Sequence, residues 1–351
     1  MDRDSRSVSL STLDGCRQLG SKARIPTNSL APELLELLVC PREKQPLSQE
    51  NDFLVCPQEH RYRVIEGIPI LLVSEARQTH IEGGRSLQVA EDGDAAQLPQ
   101  FVFGPGEIDP FVTNAIGATN GSLYQHLVGK LKEYPIPHLR LARGNGASFL
   151  EIGCNWGRWC IAAARLGYQP VGIDPSLKAI RAARRVAQQL GIRALYLVAD
   201  GRYLPFPDTA FDQVFSYSVL QHLYKNDVRS VLTEICRVLH PGGEARVQMP
   251  NVFGVRCLYH QIRRGFRDAN DFEVRYWTIN ELLATFGELI GPAQVSVDGY
   301  FSLNVQISDV RFLPRRYRAL VYASEGLRRL SESFHSLVYV AVRHRVPAEL
   351  S

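Results

Sequence analysis

An α/β fold built on a parallel sheet is what this 351-residue sequence predicts, and three observations predict it. The apolar run Ala147-Ser148-Phe149-Leu150 ends in Glu151, and the turn Ile152-Gly153-Cys154-Asn155-Trp156-Gly157 follows, then a helical pattern (Trp159, Ile161, Ala162, Ala163, Leu166). Val171-Gly172-Ile173 ends in Asp174. Residues 194–199 end in Asp200. Short apolar runs that end in acids and alternate with helical stretches read as parallel strands, and ligands of open α/β sheets bind at the carboxyl edge such strands share.

The rest of this core is read in order. The turn has the spacing E-x-G-x-x-x-G, which is not the dinucleotide pattern G-x-G-x-x-G, and an NAD-dependent oxidoreductase is disfavoured. Asn155 stands where a middle glycine often sits, and Asn is the side chain most tolerant of positive φ. Asp174 lies 21 residues after Gly153 and is placed to accept ribose hydroxyls. Ser176 caps a helix over 176–190, with Gly191 as its stop. A fourth strand covers 211–216, a helix 227–239 and a fifth strand 244–249. Thr278-Ile279-Asn280-Glu281 is a capping box, 293–297 a sixth strand and 336–342 the last.

The order of the acidic strand ends, the phrase Leu204-Pro205-Phe206-Pro207-Asp208 with Phe211-Asp212, and the turn Arg237-Val238-Leu239-His240-Pro241-Gly242-Gly243 resemble the class I S-adenosylmethionine-dependent methyltransferases, type 11-like, over residues 110–346. The resemblance implies a Rossmann-like seven-stranded sheet whose last strand is antiparallel, and S-adenosylmethionine as cofactor. It implies cofactor binding by Glu151, Gly153, Cys154, Asn155, Gly157, Asp174, Asp200, Gly201 and Tyr217, with Asp200 on the adenine amino group. A helical lid over 109–145 would cover the cofactor. Within it Tyr124 either sits near the sulfonium, to which an aromatic face is attracted, or packs in the core. His222, in the loop after the fourth strand, either serves as general base or orients the next helix. Both are the candidate catalytic residues.

Residues 1–28 are polar and expected to be a disordered tail, 347–351 form a short second tail, and 76–108 has linker composition. Between them, 29–75 carry the knuckles Cys40-Pro41-Arg42-Glu43 and Cys56-Pro57-Gln58-Glu59-His60 and the ending Glu66-Gly67-Ile68-Pro69-Ile70-Leu71-Leu72. This module resembles the small zinc-ribbon activator of tRNA and translation-factor methyltransferases, and the zinc module of large-subunit ribosomal RNA guanine methyltransferases. It departs from both at Glu43, which stands where the pattern has Cys. Cys40, Cys56 and His60 would be three ligands with Glu43 as the fourth, a set uncommon for structural zinc. The expectation is a ribbon with little or no zinc, held by Leu54, Tyr62, Ile68 and Ile70.

A net charge of +4 and a pI near 8.7 do not demand nucleic acid, and no nucleic-acid partner is expected. No apolar run is long enough to span a membrane, the start is polar and the seven cysteines are scattered, all of which fits a reducing cytoplasm. An insertion over 300–335 precedes the last strand as a basic helix, and its arginine cluster at 311–329 is a candidate peripheral membrane contact. The expected acceptor is a small molecule or a glycan- or lipid-linked precursor, methylated on oxygen or nitrogen. The competing readings are an RNA methyltransferase and a cofactor-binding scaffold without catalysis.

Overall fold

The computed structural model describes residues 28, 30–78, 80–93, 101, 104, 106–301, 305–330 and 337–343. The tails at 1–27 and 347–351, and part of the stretch at 76–108, lie outside the described residues.

The described residues open with a helix α1 (Pro32–Leu37) and four short antiparallel strands, β1 (Ser48–Glu50), β2 (Phe53–Val55), β3 (Arg61–Ile65) and β4 (Ile68–Leu71). Helices α2 (Ile81–Asp92) and α3 (Pro110–Thr119) lead into the core. There β5 (Ser148–Ile152), α4 (Arg158–Arg165), β6 (Gln169–Asp174), α5 (Leu177–Gln189) and β7 (Leu195–Ala199) alternate. Then come β8 (Phe211–Tyr217), α6 (Lys225–Val238), β9 (Leu239–Pro250), α7 (Val255–Arg263), α8 (Ile279–Leu289), β10 (Ala293–Gly299), α9 (Arg315–Leu330) and β11 (Leu337–Arg343).

The sheet order is β4-β7-β6-β5-β8-β9-β11-β10 beyond the three outer strands of the module, and β11 runs antiparallel between β9 and β10. This is the seven-stranded Rossmann-like arrangement with one addition. The strand β4 joins the edge parallel to β7, pairing Ile70 with Val198 and Leu71 with Ala199. Strand addition satisfies an open edge that would otherwise offer unpaired donors and acceptors. Polar contacts hold the join. Lys44 Nζ donates to Glu234 (2.7 Å) and to the Leu204 carbonyl (3.1 Å), and Arg181 holds Glu66 through two bonds of 2.9 and 2.8 Å.

Burial follows the pattern of a sheet covered on both faces. Leu150, Ile152, Val171, Ile173, Leu197 and Val214 are all buried. Ser176 caps α5 through Ala179 N (3.3 Å), and the Thr278–Glu281 box opens α8.

Two expectations need correction. The stretch at 76–108 is not only linker, because α2 occupies its middle. The His80 ring accepts from Glu82 N (3.1 Å), and Ser86 Oγ accepts from Leu177 N (2.9 Å), which ties α2 to the start of α5. Glu82-Gly83-Gly84 reads as a breaker, yet Gly83 is buried and a Cβ there would come 2.6 Å from the Gln78 amide oxygen. The glycine admits Gln78 and does not break the helix. The turn at 240–243 is also absorbed into β9, which starts at Leu239 and shifts register against β8 between Phe211 and Gln213.

Candidate cofactor site

The acidic ends of β5, β6 and β7 open into a cavity of about 540 Å³. Gly153 adopts φ 77° and its N–H reaches the Ile173 carbonyl (2.8 Å). A Cβ on it would lie 2.4 Å from Val219 Cγ2, so only glycine fits. Asn155 is left-handed at φ 48°, as its tolerance for that region allows, and its Oδ1 accepts from Trp156 N (2.9 Å).

The three acids differ in environment. Glu151 is buried, its Oε2 accepts from Cys160 N (2.8 Å), and burial pushes its pKa up to about 8. Asp174 accepts from Asn155 N (3.0 Å) and Ser176 N (2.9 Å), and burial lifts it to about 6. Each Asp174 oxygen keeps a lone pair for a ligand donor. Asp200 is engaged by Arg202, whose Nη2 lies 2.6 Å from Oδ2 and whose backbone N–H lies 2.9 Å from Oδ1. Arg202 also bridges to Asp227 (3.1 Å).

Of the residues named from sequence, Glu151, Gly153, Cys154, Asn155, Asp174, Asp200, Gly201, Tyr217 and His222 line the cavity. Tyr217 donates its hydroxyl to Asp298 (2.7 Å) and stacks beside Trp159. His222 lies face to face with Phe272, ring centroids 4.0 Å apart, and its Nδ1 sits 2.7 Å from the Phe272 carbonyl oxygen. That carbonyl can only accept, so Nδ1 carries the proton and Nε2 keeps its lone pair. Burial lowers the pKa of the ring, which favours the neutral form.

Two residues fall elsewhere. Tyr124 does not line the cavity: the 3-10 turn Ser122–Leu127 buries its ring completely, among Val112, Ile116, Leu131 and Trp156. Its role is packing. Gly157 also lies off the cavity, at the N-cap of α4. Its φ is 79°, and a Cβ would come 2.5 Å from the Tyr196 hydroxyl, so it serves the turn and its packing.

Several lining residues escaped sequence reasoning. Gln78, His80 and Glu82 enter from the stretch read as linker, and Phe272 from the segment after α7. The His80 ring meets Phe272 edge-on at 4.5 Å, so three rings from remote segments close one wall. Arg158 also lines the cavity. It is 6 % exposed, and its Nη1 has no hydrogen-bond partner. Its guanidinium lies 5.1 Å from the Trp159 ring centre. A cation directly after the glycine turn was the signal that could have found it.

The module carries a second cluster. Cys40, Cys56 and His60 bring ligand atoms within 4.8 Å of one another, with His60 Nδ1 3.7 Å from Cys40 Sγ and 3.5 Å from Cys56 Sγ. Tetrahedral zinc with sulfur and nitrogen ligands separates them by about 3.6 Å, so these three fit a zinc ion. Glu43 is not the fourth ligand, because its side chain is exposed and outside the cluster. The neighbour of Cys40 Sγ is the Tyr62 hydroxyl, at 3.3 Å.

Comparison with known proteins agrees with this geometry. Residues 149–243 match the family model described as "Methyltransferase domain", and residues 31–67 match that described as "Trm112p-like protein". The chain carries a class I S-adenosylmethionine-dependent methyltransferase domain behind a Trm112p-like domain. Among curated relatives, the ubiquinone biosynthesis O-methyltransferase of Sinorhizobium medicae is 34% identical over 28% of this chain and 39% of its own length. That of Paramagnetospirillum magneticum is 35% identical over 36% of this chain and 53% of its own. The chain thus spans about half or less of these relatives. Among solved structures, an S-adenosylmethionine-dependent methyltransferase from Methanosarcina mazei is 20% identical, covering 62% of this chain and 99% of its own, at a TM-score of 0.41. A chain from the complex of the Haloferax volcanii Trm112 methyltransferase activator with a methyltransferase is 16% identical, covering 68% and 94%, at 0.43.

Proposed function

We propose that this protein transfers a methyl group from S-adenosylmethionine to an oxygen or nitrogen of a small or carrier-linked acceptor. The observation that carries this is the set Glu151, Asp174 and Asp200 around one cavity at the Gly153 turn. The donor set fits the cofactor. Asp174 keeps a lone pair on each oxygen to accept ribose hydroxyls, whereas Asp200 takes four contacts from Arg202 and would reach the adenine amino group only by giving one of them up. Arg158, cationic and with its buried Nη1 unpartnered, would hold the carboxylate of the methionine part, since a buried charge is costly until paired. When bound, the cofactor supplies a methyl group activated by positively charged sulfur.

His222 supplies the base. Its Nδ1–H is fixed on the Phe272 carbonyl, so Nε2 is the accepting nitrogen; the Gln221 amide reaches it at 3.4 Å, and the acceptor's hydroxyl or amine would take the place of that amide to hand over its proton. Phe272 covers one face of the ring, and His80 meets Phe272 edge-on.

The test is incubation with isotopically labelled methyl donor and fractionated cell extract. Label is expected in a small-molecule or lipid-extractable fraction and is lost in His222→Ala. Label confined to RNA would replace the acceptor class, and no label in any fraction together with undetectable cofactor binding would overturn the assignment.

A further inference from the structure

The helix α7 and its flanks carry a row of exposed large apolar side chains. At about 100° per residue, α7 divides into three faces. Cys257 and Gln261 share one. Cys257 is buried, and Gln261 Nε2 donates to the Val252 and Cys257 carbonyls (3.0 and 3.3 Å), so this face looks into the molecule. Leu258, Tyr259 and Ile262 share a second face and are exposed, Ile262 at 57%. Phe253 just before the helix and Phe266 just after it are exposed at 72% and 65%. Arg256, His260 and Arg263 form the third face, beside the apolar one.

A helix that merely covers a core would bury its apolar stripe and expose its cations. Here the apolar stripe points outward and the inward face is narrow. Five large apolar side chains exposed together form a patch of the kind that marks an interaction site. Its charge is one-sided. From 253 to 267 there are four arginines and no acid. Arg267 is held by Glu273 through two bonds of 2.8 Å, and Arg264 donates to the Val274 carbonyl (3.1 Å). Arg256 and Arg263 are exposed, and neither faces an acid within salt-bridge distance among the described residues.

We propose that this face seats the protein on an anionic phospholipid surface. The apolar row of Phe253, Leu258, Ile262 and Phe266 would enter the headgroup boundary, and Arg256 and Arg263 would lie against lipid phosphates. Aromatic and aliphatic residues on one side of a helix with arginines beside them are the composition of an interfacial helix. Charge complementarity decides between this occupant and a second copy of the chain. Arg256 Nε donates to His260 Nε2 (3.3 Å) and Arg263 lies over the Tyr259 ring, so neither positive charge meets a negative one; a symmetric copy would bring these charges toward each other, whereas an anionic bilayer neutralises them. The arginine cluster at 311–329 is mixed in charge where α7 is not: Arg311 is paired with Glu133 and Arg328 and Arg329 with Glu325, while Arg315 and Arg316 are exposed without an acid partner among the described residues, and Val321 and Leu313 are buried.

The position gives the surface a use. The chain runs from α7 directly to Phe272, which lines the cavity and stacks on His222. A lipid-linked acceptor held at the bilayer would approach the cavity along this wall. The docking itself needs no assumption about the reaction.

Co-sedimentation of the purified chain with vesicles tests it. Binding is expected to mixed phosphatidylcholine–phosphatidylglycerol vesicles, and much less to phosphatidylcholine alone or at high salt. Each arginine near an anionic surface contributes roughly a fivefold change in affinity, so Arg256→Gln with Arg263→Gln should weaken binding by about thirtyfold. Phe253→Ser with Ile262→Ser should abolish it, while S-adenosylhomocysteine binding and circular dichroism stay unchanged and show that the fold is intact. Equal sedimentation of wild type and both variants would overturn the proposal. So would a solution dimer that Phe253→Ser with Ile262→Ser dissociates, or RNA binding lost in the arginine variant without vesicle binding.

Discussion

The chain departs from a familiar pattern at two places, and the outcomes differ. In the turn after β5, Asn155 replaces a glycine, and the backbone still reaches φ 48° with its N–H on Asp174 (3.0 Å). In the first knuckle of the module, Glu43 replaces a cysteine, and the side chain goes to solvent while the Tyr62 hydroxyl stands beside Cys40. A turn asks for a backbone conformation, and Asn can supply it. A soft metal site asks for a thiolate or imidazole at a fixed point, and a carboxylate on an exposed turn does not supply it. A substitution is silent when it meets the physical demand of its position, whatever its chemical class.

The comparison breaks first if the acidic edge is not a ligand site. Asp174→Ala should weaken S-adenosylhomocysteine binding at least about a hundredfold, since hydrogen bonds to a charged group are worth about 1.5–3 kcal/mol each and two are lost. Unchanged affinity by calorimetry would remove Asp174 from the site. Arg158→Gln should cost about tenfold for the same ligand and nothing for methylthioadenosine, which lacks the carboxylate. Equal losses for both ligands would mean that Arg158 acts on the fold.

A smaller effect sharpens the account of Glu151. Its pKa is about 8 in the fold against an ordinary 4.5. A raised value means that the stability carried by the neutral carboxyl is present below the ordinary value and is lost as the pH rises through about 8. The melting temperature of the ligand-free protein should therefore fall by several degrees over that interval, and less in Glu151→Gln. A flat profile in the wild type would contradict the buried, neutral carboxyl. The smallest effects compare the two departures themselves. Asn155→Gly should change stability by no more than about 1 kcal/mol. Glu43→Cys should raise zinc content by elemental analysis from a substoichiometric level toward one ion per chain, with Cys56→Ser losing it. One tightly held zinc in the wild type would show that three ligands suffice.

What could be read from the sequence was local. Glu151 to Gly157, Asp174 with Ser176, and Thr278 with Glu281 make their bonds within a few residues or between neighbouring strand ends, so spacing alone carries them. The rest was assembled from remote segments. His80, Phe272 and His222 meet from three parts of the chain, and no periodicity announces a stack of that kind. The helix α2 was hidden because Gly83 serves a contact with Gln78, and glycine pairs otherwise signal a break. Tyr124 stayed open between ligand and core because an aromatic in a lid reads the same whether it faces one or the other; only the path of the 3-10 turn decides. The join of β4 to β7 was also out of reach, since a module's own strands do not say which foreign edge they complete.

The central claim is that the cavity at the ends of β5, β6 and β7 takes the nucleoside of S-adenosylmethionine. Calorimetric titration of the full chain with S-adenosylhomocysteine and, separately, with NAD tests it most directly. Binding of one S-adenosylhomocysteine per chain with no heat from NAD is the expected result. Binding of NAD, or of neither ligand by a folded protein, would contradict it.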